Sequence, residues 1–240
     1  MEIKRALITG ATKGLGKAIA ECFLNNGWHV GINYQQDDKA CESFFQNFSK
    51  DFFSIFKADI SNKSNVKDMF DILKKQWGGI DVLINNAGIT YSALLPDTSE
   101  QIFEKILQTN FYGAKYCTEE AASMMTKKGG HILNVSSIIA ARGGYGLSAY
   151  SMSKAMLLGY TKDMAQELGA QNIKINAVFP GFLETNMTSE LSLKIKEKIK
   201  QEHALKRFTT PKETAAFIYN ICQTENISGQ VFNLDSRVVE

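Results

Sequence analysis

Short apolar runs alternate along this chain with segments whose apolar residues recur every three or four positions. Runs at residues 3–9, 28–34, 52–57, 81–85, 131–136, 173–178 and 230–234 are rich in Ile, Val, Leu and Phe. Runs this short and continuously apolar predict strands buried on both faces. Between them, residues 18–26, 61–77, 99–127, 149–168 and 210–222 carry helical periodicity. Punctuation supports the helices: Ser61 or Asn62 stands at an N-cap, Gly27 and Gly129-Gly130 at stops, and Thr210 caps a helix with Pro211 in its first turn. Strand-helix alternation predicts a single α/β domain over residues 1–240. It is doubly wound, with a seven-stranded parallel sheet and helices on both faces. No linker, repeat or break in composition divides it.

Residues 186–208 differ from the rest. Lys194, Lys196, Lys198, Lys200, Lys206 and Arg207 are concentrated there, and Leu191, Ile195 and Ile199 recur at helical spacing. The segment is either a solvated amphipathic helix or a lid over a substrate pocket.

Charge and cysteine content narrow the function. Twenty-seven basic against twenty-five acidic side chains leave a formal charge of +2, too balanced for nucleic acid as the main partner. No apolar stretch approaches a secretory signal or a membrane span, so the chain is expected in the cytoplasm, with no membrane partner. Cys22, Cys41, Cys117 and Cys222 lie far apart without a CxxC pair and read as packed, reduced thiols. His29, His131 and His203 are scattered, and no cluster has the spacing of metal ligands.

The first chemistry-bearing motif is the turn after the first strand, Thr9-Gly10-Ala11-Thr12-Lys13-Gly14-Leu15-Gly16. A dinucleotide's pyrophosphate needs backbone N–H groups, close approach and a helix N-terminus, all of which glycines permit. That position makes the domain Rossmann-type, although the spacing is GxxxGxG and the turn could also be an ordinary tight one. NAD-binding folds usually end the second strand in an acid that accepts the ribose hydroxyls. Here it ends Asn33-Tyr34-Gln35, with no acid before Asp37, while Lys13 lies inside the phosphate turn. A cation without a competing carboxylate favours a 2′-phosphate, so NADP(H) is expected over NAD(H). The alternative is that Lys13 is a solvated turn residue.

Tyr150 and Lys154 are one helical turn apart on one face. An ammonium beside a phenol favours the phenolate and draws its pKa down, so the phenol can serve as a proton donor to a carbonyl oxygen. Ser137 closes the preceding strand within Asn134-Val135-Ser136-Ser137 and offers a second hydroxyl. With eight tyrosines and many lysines the pair alone arises easily by chance; its place in the fold gives it weight.

These residues, with Asn85-Asn86-Ala87-Gly88, Asn110 and Pro180-Gly181, occur in the order and at the spacing of the short-chain dehydrogenases/reductases. The resemblance covers essentially the whole chain. It is greatest to the 3-oxoacyl-acyl-carrier-protein reductases, through the segments 85–90 and 180–188. The resemblance implies that Tyr150 is the general acid in ketone reduction. Lys154 would lower its pKa and bind the nicotinamide ribose, and Ser137, rather than Ser136, would polarise the carbonyl. Asn110 would hold a water that resupplies protons. It further implies nucleotide contacts at Gly10, Thr12, Lys13, Gly14, Leu15 and Gly16. Asn33 and Tyr34 would stand at the second strand, Asp59 and Ile60 at the adenine, and Asn86, Ala87 and Gly88 at its ribose. Pro180, Gly181, Leu183 and Thr185 would lie at the nicotinamide end.

Two features depart from the carrier-protein reductases. Their final Gly-Gly is replaced by Asp235-Ser236-Arg237, where the family makes subunit contacts. Of two basic residues expected to dock an acidic acyl carrier protein, Lys128 is present but Gln171 replaces the second; Arg142 and the basic 194–207 segment are possible substitutes. The leading expectation is NADPH-dependent reduction of a 3-oxoacyl thioester to the 3-hydroxyacyl thioester in acyl-chain biosynthesis. The alternatives are the same fold acting on another ketone or alcohol, and a cofactor-binding subunit without turnover. Family resemblance also implies a homotetramer. Ala121, Ala122, Met124, Met125, Met152, Met156 and Leu157 suit either its helical interface or the core.

Overall fold

A computed structural model describes residues 3–36, 38, 41, 48–125, 128–189 and 191–237. The expected strands form at β1 (Arg5–Ile8), β2 (His29–Tyr34), β3 (Phe53–Lys57), β4 (Val82–Asn85), β5 (Gly130–Val135), β6 (Ile173–Phe179) and β7 (Val231–Asn233). They pair in the order β3-β2-β1-β4-β5-β6-β7, and every pairing is parallel. The order reverses between β1 and β4, which opens a crevice at their C-terminal ends. In open parallel sheets ligands bind at that reversal.

Side chains alternate between the two faces of the sheet. Ala6, Ile8, Val82, Ile84, Leu133 and Val178 pack with Ile19, Phe23 and Ile218 on one side. Leu7, Leu83, Ile132 and Ile175 pack with Phe70, Leu73 and Cys117 on the other. Full burial of each such side chain stabilises the fold by roughly 1.5–3 kcal/mol relative to exposure. The first layer of helices is α1 (Gly14–Asn25) with the later Pro211–Ile221 helix, and the second includes α2 (Lys63–Trp77). Asn62 is the cap of α2, its Oδ1 accepting from the Ser64 and Asn65 amides at 2.9 and 3.2 Å.

Three expectations change. Helix α1 begins four residues earlier than the apolar pattern suggested, inside the glycine turn. The single helix expected over residues 99–127 is divided into α3 (Glu100–Leu107), a π-turn (Gln108–Tyr112) and α4 (Gly113–Met124); residues 126 and 127 lie outside the described residues, as does Asp37. A one-turn helix, α5 (Ile139–Arg142), follows β5 before α6 (Ser148–Gly169). Residues 186–208 contain α7 (Leu193–Glu202), whose Leu193 and Ile195 are exposed; residue 190 lies outside the described residues. The final helix, α8 (Pro211–Ile221), carries a full capping box between Thr210 and Glu213. Ala121, Met124, Met125 and Leu157 prove to be core, whereas Met152 is exposed on α6. Among the described residues no helix is long and apolar enough to cross a membrane.

His131 is buried in β5, where its Nε2 lies 2.9 Å from Asn176 Nδ2. Burial, with a smaller contribution from the Lys174 charge, lowers its pKa to about 4. The unfolded chain therefore takes up a proton near the ordinary value of 6.5 that the folded chain takes up only near 4. Stability from this site is complete above pH 6.5 and is lost as pH falls through that window, by up to about 3 kcal/mol. Urea denaturation at stepped pH should show this loss, and His131→Gln should flatten the slope; an unchanged slope refutes the assignment.

Candidate active site

The glycine turn is welded to the segment after β4. Thr9 Oγ1 accepts from the backbone N–H of Asn86 and of Ala87, each at 3.0 Å. Asn86 Nδ2 donates to the carbonyls of Thr9 and Gly10 at 2.9 and 3.2 Å. Close contact explains one glycine directly: a Cβ on Gly16 would stand 2.2 Å from the Gly10 carbonyl oxygen and 2.5 Å from Asn86 Nδ2. Gly14 has φ +56° at the start of α1, a left-handed conformation that favours glycine. A Cβ there would face Thr185 at 3.5 Å, so the segment after β6 lies across the turn from it. Lys13 is exposed at the N-cap of α1. A side-chain-free turn, a helix N-terminus and an exposed cation together fit a dinucleotide phosphate.

Several of the expected nucleotide contacts have partners within the protein. Asn33 is buried; its Nδ2 donates to the carbonyls of Phe56 and Ala58 at 3.2 and 3.1 Å, and its Oδ1 faces the Gly10 amide at 3.4 Å. The side chain thus fixes the turn from below rather than projecting from it. Asn86 is likewise occupied with the turn. Tyr34 donates its hydroxyl to Asp38 Oδ1 at 2.7 Å, and Lys57 Nζ reaches both Asp38 oxygens at 2.9 Å. Lys57 and the Tyr34 hydroxyl hold the Asp38 carboxyl below its ordinary pKa, while Tyr34 is pushed up, chiefly by its bond to Asp38. Asp59 Oδ1 accepts from the Ser61 amide and hydroxyl at 2.9 and 2.7 Å, and Ile60 is buried beside Gly113. Gly181 has φ +85° and packs on Thr209, and Leu183 is buried.

Ser137, Tyr150 and Lys154 meet where β5 ends. Ser137 and Tyr150 are half-buried, and the Ser137 hydroxyl lies close enough to the phenol to favour its phenolate. Lys154 is buried, and its Nζ donates to the Val135 carbonyl at 2.8 Å. The adjacent Ser136 has a different part: it is buried and donates to the Lys154 backbone carbonyl at 2.8 Å, pinning α6 to the strand end. A Cβ on Gly88 would lie 3.4 Å from Lys154 Nζ and 3.2 Å from Asn110 Oδ1, so this glycine lets both polar groups close on the segment after β4.

Asn110 lies in the π-turn, a form common at functional sites. Its Oδ1 accepts from the Ile89 amide at 2.8 Å, and its Nδ2 donates to the Ile89 carbonyl and to Ser153 Oγ, both at 2.9 Å. Ser153 donates in turn to the Tyr150 carbonyl at 2.7 Å. The amide is therefore spent on joining the segment after β4 to α6. Thr9, Ser136 and Ser153 were passed over as site residues. Adjacency to Gly10, Ser137 and Lys154 was the only signal for them.

The electrostatics differ from the simple reading of the pair. Burial raises the Tyr150 pKa, and the neighbouring Ser137 hydroxyl only partly offsets it. Burial also lowers Lys154 to about 8. The ammonium is directed at Val135, with Nζ 6.0 Å from the Tyr150 ring centre. Desolvation outweighs the mutual attraction in this arrangement.

Removing the Ser136 hydroxyl should delete a buried hydrogen bond to the Lys154 carbonyl and cost about 1 kcal/mol, or about 2–4 °C in Tm. Ser137→Ala should leave Tm nearly unchanged. Thermal unfolding of the two variants checks this, and equal losses would contradict the division of labour.

A family model described as Enoyl-(Acyl carrier protein) reductase matches residues 10–236. The 3-oxoacyl-(acyl-carrier-protein) reductase FabG of Staphylococcus aureus is 35% identical over 239 residues, covering 97% of this chain and 96% of the relative. The enzyme of the same name from Aquifex aeolicus is 34% identical over 245 residues, covering 98% of each. Among solved structures, a doubly substituted variant of a Serratia marcescens short-chain dehydrogenase/reductase superposes with a TM-score of 0.92 at 27% identity. That match covers 97% of this chain and 96% of the other.

Proposed function

Because this chain belongs to the short-chain dehydrogenase/reductase family, we propose that it is an NADPH-dependent reductase of 3-oxoacyl thioesters, acting in acyl-chain biosynthesis. The observation that supports this most is the pair of neighbouring hydroxyls on Ser137 and Tyr150 beside buried Lys154, next to a glycine-rich turn at a helix N-terminus. The names of the relatives supply the substrate class.

When bound, NADPH supplies the hydride for the carbonyl carbon. The turn from Gly10 to Gly16 holds its phosphates, Asp59 and Ile60 face the adenine, and Gly181, Leu183 and Thr185 face the nicotinamide. Ser137 donates a hydrogen bond to the substrate oxygen. Tyr150 gives that oxygen its proton as negative charge develops, so two fixed donors meet the charge without reorganisation. Lys154, in its charged form, stabilises the phenolate left behind. Asn110 fixes the register of α6 against the segment after β4, and the residue is also the proposed holder of the relay water. Residues 186–208 act as a lid, with α7 over the substrate. The same reading places the enzyme in the cytoplasm as a homotetramer, with an acidic carrier protein as the donor of substrate.

NADP(H) preference rests on exposed Lys13 and on the absence of a carboxylate in β2. Asp38, the nearest described acid, is neutralised by Lys57 at 2.9 Å. A second reading, reduction of another ketone, is favoured by exposed Gln171 at an expected basic docking position.

Steady-state NADPH oxidation with acetoacetyl thioesters, beside a panel of free ketones, tests the proposal. Thioester preference is expected, and preference for a free ketone would overturn it. Tyr150→Phe should reduce kcat by at least about 100-fold while dinucleotide affinity persists; full activity would remove Tyr150 as proton donor. The Lys154 ammonium is present below its depressed pKa of about 8 and lost above it. Reduction should therefore decline as pH rises through that value, and the decline should move to higher pH in any residual activity of Lys154→Arg. Fluorescence titration of Lys13→Ala should show weaker NADPH binding with NADH little changed; equal losses would exclude 2′-phosphate recognition by Lys13.

A further inference from the structure

Beyond the reaction centre, a charge network joins the lid to the chain end and to the helix that follows Ser137. Arg237 is locked: its Nε and Nη2 donate to the Asp235 oxygens at 2.8 and 2.6 Å, with the side chain 8% exposed. Asp235 is itself buried against His203, whose Nε2 is 3.2 Å away. Glu202, the last residue of α7, lies beyond this pair. One of its oxygens, Oε2, stands 3.9 Å from Arg237 Nη1 and 3.6 Å from Arg142 Nη1. Both separations exceed hydrogen-bond length, so these are loose ion pairs.

The two arginines are unequal. Arg237 is held by Asp235 whatever Glu202 does. Arg142 has its 3.6 Å contact with Glu202 as its only ion pair among the described residues, and its side chain is 38% exposed. Arg142 is also near the chemistry. It ends α5, which starts two residues after Ser137, and Ser151 Oγ on α6 donates to the Ile139 carbonyl at 2.9 Å. The guanidinium thus links the segment that follows Ser137 to the end of α7, with five donors in a planar fork that matches phosphate.

We propose that Arg142 is the binding position for the phosphate of the substrate's phosphopantetheine arm, and that Glu202 is an internal counter-anion that this phosphate displaces. The proposal rests on the thioester reading, because the pantetheine arm carries its phosphate well away from the thioester carbonyl. Displacement leaves no charge stranded: Glu202 retains Arg237, and Arg142 exchanges a loose carboxylate for a bidentate phosphate. The phosphate is common to carrier-linked and coenzyme A-linked substrates.

Binding and turnover test this separately. Calorimetry with 4′-phosphopantetheine and with pantetheine compares two probes that differ by one phosphate. Wild type should bind the phosphorylated probe about tenfold more tightly, Arg142→Gln should lose that difference, and Glu202→Gln should enlarge it. Equal affinity for both probes in wild type, or a difference that survives in Arg142→Gln, overturns the proposal. Turnover of acetoacetyl groups on carrier protein, on coenzyme A and on uncharged N-acetylcysteamine then identifies the source. In Arg142→Gln, kcat/KM should fall about tenfold more for the phosphate-bearing substrates than for the uncharged one, through KM. An equal fall on all three overturns the phosphate site and leaves the thioester reading intact. Phosphate binding through Arg142 without turnover of any thioester upholds the site and overturns the thioester reading.

Discussion

A buried cation sets the terms for the rest of this site. Lys154 has little solvent, so its ammonium must be paid for by fixed dipoles and by close packing. The Val135 carbonyl, at the very end of β5, faces it directly. Ser136 ties the lysine's own backbone to the same strand end, and Gly88 removes the side chain that would stand in the way. Each partner comes from a different element, so the depressed pKa of Lys154 reports on the joint placement of β5, α6 and the segment after β4.

The reversal of strand order brings these pieces together. At this reversal β1 and β4 are neighbours paired to their C-terminal ends, and the two segments that leave them are bonded to one another through Thr9 and Asn86. Asn33 supports the glycine turn from β2, and Asn110 supports α6 from the π-turn. Asparagine amides, which both donate and accept, make these cross-links between backbone segments. Lys13 is exposed, whereas Ser137 and Tyr150 are half-buried.

Much of this arrangement was legible in the chain. Apolar runs flanked by turn residues located all seven strands, because strands buried on both faces need such runs. The position of the glycine turn and the Tyr150–Lys154 spacing located the crevice and its hydroxyls. What stayed hidden depends on contacts distant in sequence. Nothing in the periodicity of residues 99–127 reveals the π-turn, which follows from Asn110 meeting Ile89. The bonds from Asn33 to the Phe56 and Ala58 carbonyls are invisible from β2 alone. The phenol looked acidified because spacing shows that a lysine is near but not where its nitrogen points. His203 and Arg237 looked unrelated until Asp235 placed them together.

The bonds between Thr9 and Asn86 span 77 residues of chain. Closing so long a loop carries an entropic cost before any contact rewards it, and parallel pairing of this kind forms slowly. The nucleotide cradle is therefore absent from any partly folded chain in which β1 and β4 have not yet met. A ligand that recognises only the completed cradle draws the whole population towards the native state by mass action. On the proposed function, the supply of dinucleotide in a cell would then govern how much of this polypeptide survives proteolysis as well as how fast it turns over.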